Sequence, residues 1–156
     1  MDDQAWKLIH IAGACLFIGN NVVTPFWRFF AERTRDPQVI AFSQRPITLT
    51  DCTFTGGGIA LLLIGGHAMA ARQPGLWHPL WFFRGYGFFA LAGVVWLAAL
   101  LPIQVEQARL ARTFAPGGKI PERFHQLSRR WNIAGALASL LPFASLWLMV
   151  TKPNFL

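Results

Sequence analysis

Four apolar runs, each about as long as a bilayer is thick, restrict this 156-residue chain more tightly than any other feature. A helix needs ~20 mostly apolar residues to cross the hydrocarbon core. The runs predict spans over residues 5–26, 51–71, 82–104 and 131–151, joined in one transmembrane domain over residues 1–156. Backbone groups facing lipid must be hydrogen-bonded within their own segment, which makes the spans helices. The apolar runs lack the strict alternation of a membrane barrel. The expected fold class is all-α, an integral membrane four-helix bundle. Pro25 falls near the end of the first span, Pro102 is expected to bend the last turn of the third, and Pro142 lies mid-way along the fourth.

Composition agrees: 54% of residues are apolar and 13% charged, against ~25% charged in soluble domains. Mean hydropathy is +0.39. The net charge of +7 does not point to nucleic acid, because the basic residues lie between apolar spans and no groove-reading motif accompanies them. Cys15 and Cys52 form no C-x-x-C pair, so neither a disulfide framework nor a zinc site is expected. The opening MDDQAW is acidic where a signal peptide is basic, so the first run is expected to be retained.

The connections set the topology. Residues 28–50 include QVIAFSQRP, which suggests a short helix lying at the interface. RQPGLWHPLW makes a tight turn between the second and third spans. Arg28, Arg33, Arg35, Arg45, Arg109, Arg112, Lys119, Arg123, Arg129 and Arg130 share one side. Lys7, Arg72, Arg84 and Lys152 share the other. The richer side is expected in the cytoplasm, with both termini outside (N-out/C-out). Trp6, Trp77, Trp81 and Trp147 then fit an outer aromatic belt, and Trp27 and Trp131 an inner one.

Polar residues inside the spans are the candidate functional groups. At ~100° per residue, His10, Gly13, Ala14, Phe17, Asn21 and Thr24 share one face of the first span, with Asn20 at its margin. Ile11, Cys15, Ile18 and Val22 form the apolar face opposite. In the second span His67 shares a face with Thr53, Gly56, Ala60, Leu63 and Ile64. Small residues on such stripes let a second helix, or a flat ligand, come close. His10 and His67 fall at matched depth, so two neutral imidazoles are placed to ligate one haem iron, or a copper ion with Met69 nearby. The plainer reading is that each ring bonds a backbone carbonyl or an amide. Asn20, Asn21 and Thr24 form a second polar group, read as interhelical bonding or as a ligand-contacting patch. Asp51 is read as a first-turn carboxylate suited to the helix dipole, with Arg45 or Arg130 as a partner. Glu106 reads as part of a solvated helix extension, and His78 and His125 as surface residues. No nucleophile–base pair, carboxylate dyad or phosphate loop is present.

WKLIHIAGACLFIGNNVVTPFW, RPITLTDCTFT, LLPIQVEQARLA and RRWNIAGALASLLPFASLWLMVTKP together resemble a bacterial family of predicted integral membrane proteins, domain of unknown function number twenty-two sixty-nine. The resemblance covers nearly the whole chain. More distantly, the histidine of the opening helix and the closing Lys152-Pro153 resemble HemJ-type protoporphyrinogen oxidases and CopD-type copper-resistance proteins. That resemblance implies haem binding at His10. The carry-over stops there, because LAGVVWLAALLPIQ lacks the third-span histidine of HemJ-type proteins and WNIAG stands in place of their acidic NE-type motif.

The expectation is therefore a multi-pass protein of the bacterial inner membrane that binds haem b in its outer half and acts in electron transfer. His10 and His67 would be the metal ligands, and Gly13, Phe17 and Asn21 would line the cofactor. The alternatives are a non-catalytic accessory subunit packed against a larger membrane complex, a homo-oligomer, or a copper or small-solute handling protein.

Overall fold

The computed structural model describes residues 2–153. It contains six α-helices: α1 (Asp3–Arg33), α2 (Pro37–Thr50), α3 (Gly57–Arg72), α4 (Leu80–Val95), α5 (Leu101–Ala111) and α6 (Glu122–Thr151). A π-turn over Asp51–Gly56 fuses α2 to α3, and another over Trp96–Leu100 fuses α4 to α5. The outcome is four continuous helical rods, each long and apolar enough to cross a membrane. The protein is an all-α, multi-pass membrane protein.

The rods exceed the expected spans. The second runs unbroken for 36 residues, Pro37–Arg72, about 54 Å at ~1.5 Å per residue. A hydrocarbon core is only ~30 Å thick. There is no separate interface helix over QVIAFSQRP; that stretch is the start of the second rod. Likewise α1 does not stop at Pro25 but continues through it to Arg33. Long helices absorb interior prolines when side-chain hydroxyls and local π geometry satisfy the freed backbone groups. Pro46 has no N–H for the Phe42 carbonyl, the hydroxyls of Ser43, Thr48 and Thr50 around it bond the carbonyls of Ile40, Gln44 and Ile47, and Pro102 lies two residues past a π-turn.

The ends are specified locally. Asp2 caps α1 by accepting from the Ala5 N–H, and Asp36 caps α2 by accepting from the Gln38 N–H, with Pro37 in the first turn. Arg35, at φ 56°, turns the chain between them in three residues. Lys152, at φ 45°, closes α6 with its N–H on the Leu148 carbonyl. Pro153 then ends the helix.

The rods associate in two pairs. α1 packs on α3 with the backbones in contact: a Cβ at Gly13 would lie 2.6 Å from the Leu62 nitrogen, one at Gly58 2.8 Å from the Phe17 nitrogen, and one at Gly65 2.8 Å from the His10 nitrogen. α4 packs on α6, where Gly85 admits Met149. Across the pairs, no Cα of α4 comes within 8 Å of α1 or α3. The pairs are tied together at the end that carries the arginine-rich connections. There α2, α5, the last turns of α1 and the first turns of α6 bury Ile40, Ala111 and Phe124 against Phe114 and Ile120.

The buried face of α1 is Gly13, Phe17, Asn20, Thr24, Arg28 and Ala31, with Ile11, Cys15 and Val22 exposed. The stripe is close to the expected one, but Asn20 sits at its centre. The second span departs further. Thr53, Ala60, Ile64 and His67 are exposed, while Asp51, Thr55, Gly58, Gly65 and Ala70 are buried. That span is apolar on all sides, so hydropathy does not choose a face; contact between glycine backbone and α1 does.

Candidate functional site

A buried polar centre lies where the two helix pairs converge. α1 presents Asn20 and Thr24 one turn apart. The π-turn presents Asp51 and Thr55, again four residues apart, and α5 presents Gln104. Asp51 Oδ1 accepts from Asn20 Nδ2 at 2.6 Å and from the Thr24 hydroxyl at 3.4 Å. Asp51 Oδ2 accepts a short bond from Gln104 Nε2. Asn20 Nδ2 also reaches Thr55 Oγ1 at 2.9 Å, and the Thr24 hydroxyl reaches Asn20 Oδ1 at 3.2 Å. Three rods are thus tied to one carboxylate. Bonds to a charged acceptor are shorter and roughly twice as strong as neutral ones.

The centre lines a cleft of about 280 Å³ between the helix pairs. The cleft walls are apolar and aromatic, with Phe17, Phe89, Trp96, Leu97 and Leu100 among them. The Phe17 and Phe89 rings meet edge to face across it at 5.7 Å. Asn20, Thr24, Asp51, Thr55, Gln104 and Trp131 supply its polar end. Two buried atoms of that end, Gln104 Oε1 and Trp131 Nε1, have no protein partner.

A second polar cluster lies beside it, toward the arginine-rich end. Arg28 is 1% exposed. Its Nε donates to Glu32 Oε1 at 3.0 Å, its Nη2 to Ser128 Oγ at 3.0 Å, and its guanidinium lies 4.3 Å from the Trp131 ring centroid. Ser128 Oγ also accepts from Gln107 Nε2 and donates to Glu32 Oε1, using the full capacity of a hydroxyl. Arg28 is therefore an internal residue of α1 rather than a loop cation, and Trp131, 6% exposed, is its cover rather than part of an interfacial belt.

The sequence-predicted residues are distributed as follows. Phe17 and Asn21 line the cleft, and Asn21 Oδ1 accepts from the Ser139 hydroxyl at 3.0 Å. Gly13 meets the α3 backbone instead. His10 Nδ1 lies 2.8 Å from the Leu62 carbonyl, and His67 Nδ1 lies 2.8 Å from the Leu63 carbonyl. A carbonyl only accepts, so each Nδ1 carries the proton. Successive carbonyls leave a helix ~100° apart: His10 lies in the α1–α3 contact, and His67 is exposed beside Tyr86 and Trp77. Among the described residues, no three or more His, Cys, Asp or Glu side chains gather in one group. His78 and His125 are exposed. Glu106 pairs with Arg123 at 2.9 Å.

Asp51 was expected in a first helical turn beside an arginine. It lies instead inside a continuous rod, and its partners are amides and a hydroxyl. Thr55 and Gln104 were not anticipated. The available signals were the i, i+4 spacing of Asp51 and Thr55 and a glutamine closing an apolar run, both of which need a partner in lipid.

No curated protein and no solved structure matches the chain. A family model matches residues 4–153, that of the predicted integral membrane proteins called DUF2269. With all four rods inside that match but for Asp3, the chain belongs to this family.

Proposed function

We propose that the protein binds an amphipathic small molecule within the bilayer, its apolar part in the cleft between the helix pairs and its polar head at the Asp51 end. The observation that carries this reading is the cleft itself: aromatic and aliphatic walls converge on a carboxylate, with Gln104 Oε1 and Trp131 Nε1 left as an acceptor and a donor. Ligand sites commonly pair a mostly apolar lining with a few placed polar groups. An ionisable group inside a span is a functional group by default.

Gly93 provides the test. It lines the cleft, and a Cβ there would meet nothing within 4 Å. Gly93→Leu should fill the site without displacing the backbone. Brominated amphiphiles should quench Trp96 and Trp131 fluorescence in the wild type and lose that quenching in Gly93→Leu. Equal quenching in both would refute the site.

The bacterial inner membrane is the proposed location, with the arginine-rich end in the cytoplasm. Arg28 no longer counts toward the charge rule, but Arg33, Arg35, Arg45, Arg109, Arg112, Lys119, Arg123, Arg129 and Arg130 still outnumber Lys7, Arg72, Arg84 and Lys152.

Haem b or copper at His10 is a second reading. It is favoured by the proton fixed on Nδ1, which leaves the Nε2 lone pair free, the usual state of a ligating imidazole. Two observations disfavour a metal shared with His67. The His10 ring, on α1, lies against the Leu62 carbonyl in the α1–α3 contact while the His67 ring, on α3, is exposed, and backbone contact at Gly13, Gly58 and Gly65 leaves no room for a flat ligand between α1 and α3. A reduced-minus-oxidised spectrum of the protein from haem-replete cells, repeated with His10→Ala, tests it.

A further inference from the structure

We infer that the head group taken at the polar end of the cleft is an organic cation. The inference rests on the proposed binding site and deepens it by naming the ligand's charge.

Charge balance carries the argument. Among the described residues, Asp51 is the one ionisable acid or base at the polar end of the cleft. Its contacts are Asn20, Thr24 and Gln104, neutral dipoles that orient the carboxylate without cancelling its charge. Arg28 lies one turn beyond Thr24 on α1; its Nε and Nη2 bond Glu32 and Ser128, its flat face lies on Trp131, and its Nη1 has no protein partner. The Glu32 carboxylate is taken up by Arg28 and Ser128, so Asp51 has no ion-pair partner among the described residues. The remaining lysines and arginines near this end are exposed on the outside of the bundle. A neutral head would leave Asp51 either protonated or an uncompensated ion in an apolar setting, which is costly. An anionic head would add a like charge. A cation compensates it.

The walls suit such a head. Phe17, Phe89, Trp96 and Tyr86 line the same cleft. Aromatic faces within about 6 Å attract ammonium groups, most strongly where water is excluded. The class of ligand that meets both requirements is a lipophilic amine or quaternary ammonium compound arriving from the lipid phase.

Asp51→Asn separates charge from shape. An amide at this position would set one NH2 group against the donors of Asn20 or Gln104. Rotating the Gln104 amide resolves the clash, because its Oε1 has no partner and can accept. The variant therefore keeps the bonds at position 51, loses the charge, and leaves Gln104 Nε2 rather than Oε1 free in the cleft, a change that the alcohol probe reads separately from charge.

The experiment uses the full chain in nanodiscs of zwitterionic lipid. Three probes with the same bromoalkyl chain are titrated: a trimethylammonium, an alcohol and a sulfate, read by tryptophan quenching. The wild type should bind the ammonium at least about tenfold more tightly than the alcohol, and the sulfate least; tenfold corresponds to ~1.4 kcal/mol, a modest value for a desolvated charge pair. In Asp51→Asn the ammonium and the alcohol should bind alike. Wild-type binding of the alcohol as tight as the ammonium would overturn the inference while leaving the cleft a binding site. A preference unchanged in Asp51→Asn would overturn it too. If no probe showed quenching sensitive to Gly93→Leu, the binding site itself would fall. The wild-type ratio needs no variant, so the inference stays testable even if Asp51→Asn does not fold.

Discussion

Gly13→Ala should loosen the bundle although it adds a single methyl group. The new Cβ would lie 2.6 Å from the Leu62 nitrogen, 2.8 Å from the Gly58 carbonyl oxygen and 2.8 Å from the Leu61 Cβ. Two of those atoms are backbone and none belongs to the mobile end of a side chain. Ordinary contact begins near ~3.5 Å, so α1 and α3 must part by about 0.9 Å. Inserting a methylene where nothing can yield costs about 1–3 kcal/mol. The higher helix propensity of alanine offsets little, since a span is helical in the bilayer before it packs. At ~2–4 °C per kcal/mol for a chain of this size, the melting temperature should fall by about 2–12 °C. Gly57→Ala is the matched control, because a Cβ there meets nothing within 4 Å. Thermal unfolding in one detergent, followed by circular dichroism and by tryptophan fluorescence, compares the two. If Gly13→Ala melts at or above Gly57→Ala, backbone contact does not hold the first helix pair together.

The polar centre and the charges give further expectations. Asp51→Leu should destabilise by roughly 1–3 kcal/mol, because the Asn20 and Gln104 amides lose their acceptor in a dry site, whereas Asp51→Asn should unfold close to the wild type in the same melt. Arg28→Met should cost about 3 kcal/mol, at the low end for breaking a buried pair, since Glu32 keeps 27% of its side chain exposed. Removing the exposed Arg72–Asp3 pair should change stability by less than ~1 kcal/mol, so the ratio of the two effects checks the burial argument. Cys15 and Cys52 are free, exposed and inside the spans. A lipid-soluble maleimide should label both in intact membranes and a charged one neither; labelling by the charged reagent would mean that these faces meet water.

The apolar runs determined most of the architecture on their own. A chain with four such segments has only one way to satisfy its backbone in lipid, and that constraint yields four helices without knowledge of any contact. Capping was equally local, as at Asp2 and at Asp36-Pro37. The polar stripe of α1 was legible because 3.6-residue periodicity and the expense of amides in lipid both apply to a single helix. What the sequence left open was direction. α3 is apolar all round, and lipid accepts any apolar face, so the inward side was chosen by where Gly13, Gly58 and Gly65 let two backbones touch. The same contact turned His10 and His67 to different sides, although their depths match along the chain. Asp51 met Gln104, 53 residues away, because two π-turns join four helices into two longer rods and bring the polar turns of separate rods together. Arg28 reads as a loop cation until α1 is seen to continue past Pro25. Periodicity carries information along a helix; which helix faces it, and across what gap, depends on atoms far apart in the chain, and only the folded structure fixes that.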